Sequence, residues 1–137
     1  MIRPIVKDIL FLSRKAEKAS FKDRKDGQDL LDTLEAHFED CVGLAANMIG
    51  STKAIIAIRD GDRPLLLYNP VITNHSPTSY DTEEGCLSLA GRRPCRRYDW
   101  VEVKYEDEAF HKKRKRFQDF TAEIIQHEMD HLEGILI

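Results

Sequence analysis

With 137 residues, 42% of them apolar and 33% charged, the chain has the size and mix of one packed domain over residues 1–137, which excludes disordered and collagen-like classes. A formal charge of −3 at pH 7 excludes a generally basic nucleic-acid binder, and no specific DNA binding is expected. The early apolar run at 9–12 is too short to cross a bilayer, and Cys41, Cys86 and Cys95 make an odd count for a disulfide framework, so a cytoplasmic protein with free thiols and no membrane contact is expected.

In chain order, the first predicted element is a helix over 28–41, where Leu30, Leu31, Leu34, Phe38 and Cys41 form one apolar stripe among acids. Residues 42–50 are small and apolar, with Gly43 placed so that backbone can come close to another group. A strand is predicted at 53–58, a turn at Asp60-Gly61-Asp62 and a return strand at 65–68, forming a hairpin. Asn69-Pro70 is expected to break that strand, with another short one starting at 71–73. Val101, Val103 and Tyr105 alternate with Glu102, Lys104 and Glu106, the pattern of a half-buried antiparallel strand. Its expected partner is 112–120, across a turn at Asp107-Glu108. A last helix is predicted over 121–133, with Asp119 or Thr121 as N-cap and Gly134 beyond its end. Phe120, Ile124, His127 and His131 make one stripe of that helix, and Ile125, Met129 and Leu132 another. A helix apolar on two sides is normally buried, so two histidines are carried into the core. The class is α+β, short antiparallel strands packed around a central C-terminal helix.

His127-Glu128-Met129-Asp130-His131 is H-E-x-x-H on that helix. Residues four apart share a face, so both imidazoles can bind one metal ion, with Glu128 beside them to move protons. The plainer reading is two core histidines bonded to backbone, but two histidines and a glutamate buried without a metal leave polar groups to satisfy. Six residues follow His131, so the third ligand is expected from upstream or from another subunit. Cys86 stands out there, in Glu84-Gly85-Cys86-Leu87-Ser88, where Gly85 lets backbone approach closely. One cysteine and two histidines leave the fourth tetrahedral position open, as in catalytic sites, and ligand softness allows zinc or ferrous iron. Cys41 and Cys95 are expected as small core residues, and His37, His75 and His111 as surface histidines.

Gly43-Leu44-Ala45-Ala46, Glu84-Gly85-Cys86-Leu87-Ser88 and Gln126-His127-Glu128-Met129-Asp130-His131 resemble, in order, the three motifs of the peptide deformylases, across residues 28–137. The resemblance implies Cys86, His127 and His131 as metal ligands and Glu128 as the catalytic acid/base. It also implies that the Leu87 N–H stabilises the oxyanion, with Fe(2+) as the ion and Zn(2+) or Ni(2+) as replacements. The implied reaction removes the formyl group from the N-formyl-methionine of newly made polypeptides and releases formate. Val42 and Ile124 are expected as walls of the methionine pocket, and Gly43 and Arg93 as further substrate contacts. Arg92 or Arg93, and Arg97, fall near family positions that hold the substrate backbone or pair with the motif's Glu84.

The chain departs from the family in its first motif, where Cys41 replaces a glycine and Met48 a glutamine that donates to the oxyanion. A thioether cannot donate. Asn47 is the neighbouring donor, although a shift of one residue redirects a side chain. These departures leave two alternative readings, a hydrolase for another N-acyl substrate and a non-catalytic metal-binding protein; the intact Glu128 argues against the second. Charge is uneven too: residues 92–116 carry ten Lys/Arg against five Asp/Glu, net +5, leaving −8 elsewhere. The basic run at 112–116 reads as a solvated hairpin. For an enzyme acting on nascent chains, it would also allow a weak ribosome contact.

Overall fold

The computed structural model describes all 137 residues. Five antiparallel strands form the main sheet: β1 (Gly43–Ala45), β2 (Ile55–Asp60), β3 (Arg63–His75), β6 (Trp100–Glu106) and β7 (Lys112–Gln118), in that spatial order. A separate hairpin pairs β4 (Ser79–Cys86) with β5 (Leu89–Tyr98). Three helices complete the fold: the one-turn α1 (Ile9–Leu12), then α2 (Arg24–Ala36) and α3 (Asp119–Leu132). Both α2 and α3 pack against β2, whose Ile55, Ile56, Ala57 and Ile58 are buried without alternation. The architecture is the expected α+β arrangement, with α3 set against the sheet. No helix is long and apolar enough to cross a membrane.

Several boundaries differ from the sequence pattern, each for a local reason. Helix α2 starts before residue 28, because Ser20 and Asp23 form a capping box on a 3₁₀ turn (Phe21–Asp23) that runs directly into it. It stops at Ala36, where Glu35, Glu39 and Asp40 oppose the helix dipole and no basic residue occupies the last turn. Phe38 and Cys41 therefore lie past the helix, half-buried, and the Phe38 ring stacks under the Arg59 guanidinium at 3.9 Å. Asn69-Pro70 bends a strand instead of ending one. Asn69 adopts φ 52°, the pairing of β3 with β6 shifts register between Tyr68 and Val71, and the strand continues to His75.

The hairpin of β4 and β5 carries no apolar alternation, so its strands went unpredicted. Two of its seven cross-strand pairs join opposite charges: Asp81 faces Arg96 and Glu84 faces Arg93, and Arg96 Nε donates to Asp81 at 3.1 Å. Helix α3 begins at Asp119, with Gln118 as an N-cap that makes no side-chain bond, because β7 runs straight into it. Its end is fixed by Gly134 at φ 78°, where a β-carbon would stand 2.3 Å from the Ser13 carbonyl oxygen.

The N-terminal segment is held to α2 by charge. Arg3 Nε donates to Asp29 at 2.8 Å and its guanidinium to Asp26 at 2.7 Å, while the Met1 ammonium reaches Asp29 at 2.8 Å. Burial opposes ionisation of Asp29, but bonds from the ammonium, Arg3 and Lys25 outweigh it and hold the carboxyl down at about 2. A carboxyl depressed in the folded state stabilises above its unfolded pKa of about 4, and that stability is lost as pH falls through the folded value. Asp29→Asn is therefore expected to flatten the pH dependence of the urea midpoint between pH 4 and 2. An equal acid sensitivity in both proteins would contradict this role.

Candidate metal centre and active-site cavity

Helix α3 supplies most of the site. His127 and His131 lie one turn apart and both are buried, with Nε2 atoms 3.0 Å apart. Cys86, the last residue of β4, completes the cluster, and the three ligating atoms all lie within 4.8 Å of one another. A register shift between Glu84 and Cys86 brings the strand into the tight turn at Leu87 and Ser88.

The orientation of His127 is secured from behind. Its Nδ1 lies 2.7 Å from Glu84 Oε1, and Glu84 is gripped by Arg97 through contacts of 2.7, 3.0 and 3.2 Å. Arg97 also donates to Asp130 at 2.6 Å. Gln126 joins β5 to α3 by binding both backbone groups of Tyr98, at 2.8 and 2.9 Å, which sets Arg97 over Glu84. Burial resists a charged Glu84, but His127 and Arg97 hold its carboxyl well below the usual carboxylate range.

Beside the cluster, Glu128 is 3% exposed and its Oε1 has no hydrogen-bond partner. Burial pushes its carboxyl up to about 7. The two imidazoles are driven apart. Burial works against a charged His127, yet bonds to Cys86 and Glu84 hold it up at about 10, while burial and His127 push His131 down to about 3. The two Nε2 atoms face each other at 3.0 Å, and one thiol and two imidazoles form a donor set suited to a divalent transition ion. The residues fit a metal.

A cavity of about 380 Å³ opens onto this cluster, lined among others by Val42, Gly43, Leu87, Phe120 and Ile124 together with Cys86, His127 and Glu128. Gly43 is required by close approach: a β-carbon there would stand 2.7 Å from Ile124 Cγ2 and 3.0 Å from Glu128 Oε2. Arg93 is not among the lining residues and donates to the Ala90 carbonyl at 3.3 Å. Arg92 lines the cavity instead, its guanidinium bonded to the Glu83 carbonyl. Met48 is 1% exposed in the core. Asn47 gives its amide to the backbone carbonyls of His131 and Leu12, at 2.9 and 3.4 Å, so it does not stand in for the missing glutamine.

Cys41, Glu123 and Phe120 are among the lining residues that the sequence pattern does not mark as site residues. Cys41 was assigned to the core, yet it lines the cavity; its thiol donates to the Gly43 carbonyl at 3.1 Å and is pushed up to about 12 by burial and by Glu128. Glu123 stands one turn before His127 and accepts the Tyr80 hydroxyl at 3.0 Å, and Phe120 stands one turn before Ile124. The four-residue spacing back from His127 and Ile124 is the signal that points to both.

A family model described as polypeptide deformylase matches residues 2–137. A peptide deformylase of Clostridium beijerinckii is 54% identical over 137 residues, covering 100% of each chain. Among solved structures, the chain is similar to a class I type b peptide deformylase from Acinetobacter baumannii bound to Met-Ala-Ser, with TM-score 0.89, 28% identity and coverage of 99% of this chain and 97% of that one. An actinonin-bound structure of that A. baumannii deformylase gives TM-score 0.88 at 29% identity, covering 99% of this chain and 95% of that one.

Proposed function

This chain belongs to the polypeptide deformylase family, metal-dependent hydrolases that remove the N-formyl group from nascent polypeptides, and on that premise we propose how its own residues divide the work. Cys86, His127 and His131 hold the ion, which we take to be ferrous iron, with zinc or nickel able to replace it. When bound, it supplies Lewis acidity for the formyl carbonyl and for water. Glu128 Oε1 takes a proton from the water that attacks the formyl carbon. The same carboxyl then gives a proton to the nitrogen as the C–N bond breaks, so that formate and a free amine leave. The Leu87 N–H donates to the formyl oxygen as it gains charge. Val42, Phe120 and Ile124 wall the methionine side chain, Gly43 lets the substrate backbone come close, and Arg92 rather than Arg93 lies over the bound peptide.

The observation that carries this reading is the buried, unpartnered Glu128 Oε1 beside three converging ligand atoms at the base of one cavity. Formate release from a formyl-Met tripeptide, measured together with bound metal, tests it. A cytoplasmic setting suits three cysteines that form no disulfide. We assign the electrostatic contact with ribosomal RNA to β6 and β7, where Lys104 stands directly opposite Arg114 and neither pairs with an acid.

Residue 48 offers a direct probe of the oxyanion. Met48→Gln is expected to raise kcat while leaving KM nearly unchanged, by no more than the roughly 10²–10³ that one such donor supplies, because the donor acts on the transition state. An unchanged kcat on the same tripeptide would mean that a side chain at 48 does not reach the reacting oxygen.

A further inference from the structure

We propose that Asn47 is a positioning residue for the metal centre: its buried amide holds the backbone carbonyl of His131 and so helps orient an imidazole whose Nδ1 has no partner. The inference rests on the reading of His131 as a metal ligand.

The two histidines are supported in different ways. His127 is held through its ring, with Nδ1 2.7 Å from Glu84. His131 has no such partner, and its Nδ1 is buried with nothing bonded to it. A ligating histidine ordinarily donates its second ring nitrogen to a carboxylate or carbonyl, which fixes the ring plane. His131 therefore depends on its backbone.

That backbone lies in the last turn of α3, where carbonyls have no intrahelical partner. The His131 carbonyl accepts the Gly134 N–H at 3.0 Å from the chain beyond the helix and Asn47 Nδ2 at 2.9 Å from across the core. Asn47 is the second residue of a 3₁₀ turn (Ala46–Ile49) that follows β1 directly, and it is 6% exposed. Its amide also reaches the Leu12 carbonyl at the end of α1, at 3.4 Å. The turn is itself anchored, through the Val6 N–H to the Met48 carbonyl at 2.8 Å and the Ser51 N–H to the Ala46 carbonyl at 3.0 Å. Asn47 thus ties the end of α3 to a fixed part of the core. Loss of the amide leaves that carbonyl held by the Gly134 N–H alone and loosens the end of α3 that sets the direction of the ring.

The test uses cobalt(II) as probe, because its visible spectrum reports ligand geometry independently of turnover. Asn47→Leu keeps the shape of the side chain without its donors, and Asn47→Ala carries the same test should the leucine variant fail to fold. Leu30→Ala, which hollows the core on α2, serves as a control for lost stability. The Asn47 variants are expected to bind cobalt(II) roughly 10–100-fold more weakly than wild type, the usual cost of losing an outer support. Their spectra should shift, while KM for a formyl-Met peptide stays constant at saturating metal. Leu30→Ala should keep the wild-type spectrum and affinity. Wild-type affinity and spectrum in the Asn47 variants would overturn the proposal, as would an equal loss in Leu30→Ala. A wild-type protein that binds no cobalt(II) would instead overturn the metal centre on which it rests, whatever the Asn47 variants do.

Discussion

Glu128→Gln is expected to lower kcat for formyl-Met peptides by about 10²–10⁴-fold while metal content stays at the wild-type level. The change keeps the size and most of the shape of the side chain, so the cavity beside Gly43 and Ile124 is preserved. What it removes is the ability to take and return a proton at Oε1. Glu128 is suited to that task by its surroundings. Burial raises the carboxyl to about 7, the direction that favours a group able both to take and to return a proton. An amide can do neither. Because the residue moves protons and is not placed as a ligand, KM and bound metal should change little, and the loss should fall on the chemical step. Full activity in Glu128→Gln would remove the acid/base assignment.

Cys86→Ala is expected to act in the opposite order, with metal lost first and turnover lost because of it. Two imidazoles from one helix face remain, but they supply only two donors, and the thiolate contributes the negative charge that makes the site selective for a soft divalent ion. Removing a ligand should exceed the roughly 10–100-fold cost of removing an outer support, so dialysis against a chelator should strip the variant while wild type keeps its ion. The helix itself should stay in place, since Gln126 and Arg97 hold α3 to β5 independently of the thiol. Circular dichroism of the stripped variant checks this. Retention of one ion per chain with unchanged activity would displace Cys86 from the ligand set.

The parts of this architecture that were legible in the sequence are those carried by local pattern. H-E-x-x-H needs only helical spacing to bring His127 and His131 together, and the alternation at Val101, Val103 and Tyr105 needs only the pleat of a strand. The hairpin was not legible, because β4 and β5 carry exposed charged residues such as Asp81 and Arg96 and neither strand alternates apolar with polar residues. Asn69-Pro70 has the local signature of a strand end because proline removes a ladder donor; a bulge accommodates that loss within a continuous strand. The supports of the site were hidden for a related reason. Gln126 on Tyr98 and Asn47 on His131 join segments 28 and 84 residues apart, and no local window contains both partners; Arg97 on Glu84 is reachable only through the family resemblance. The Cys41 thiol was read as core because a small buried residue has the same composition whether it faces a leucine or a cavity.

On the proposed reading, one ion held by Cys86, His127 and His131 and the proton carried by Glu128 together give this chain its deformylase activity. The most direct measurement is formate release from a formyl-Met tripeptide by the purified protein, reconstituted anaerobically with iron(II), alongside the metal bound per chain. Close to one ion per chain and catalytic release of one formate per free amine formed are expected, both abolished by chelation and restored by adding the ion back. A fully metal-loaded protein that releases no formate, or one whose formate release survives complete removal of metal, would contradict that reading.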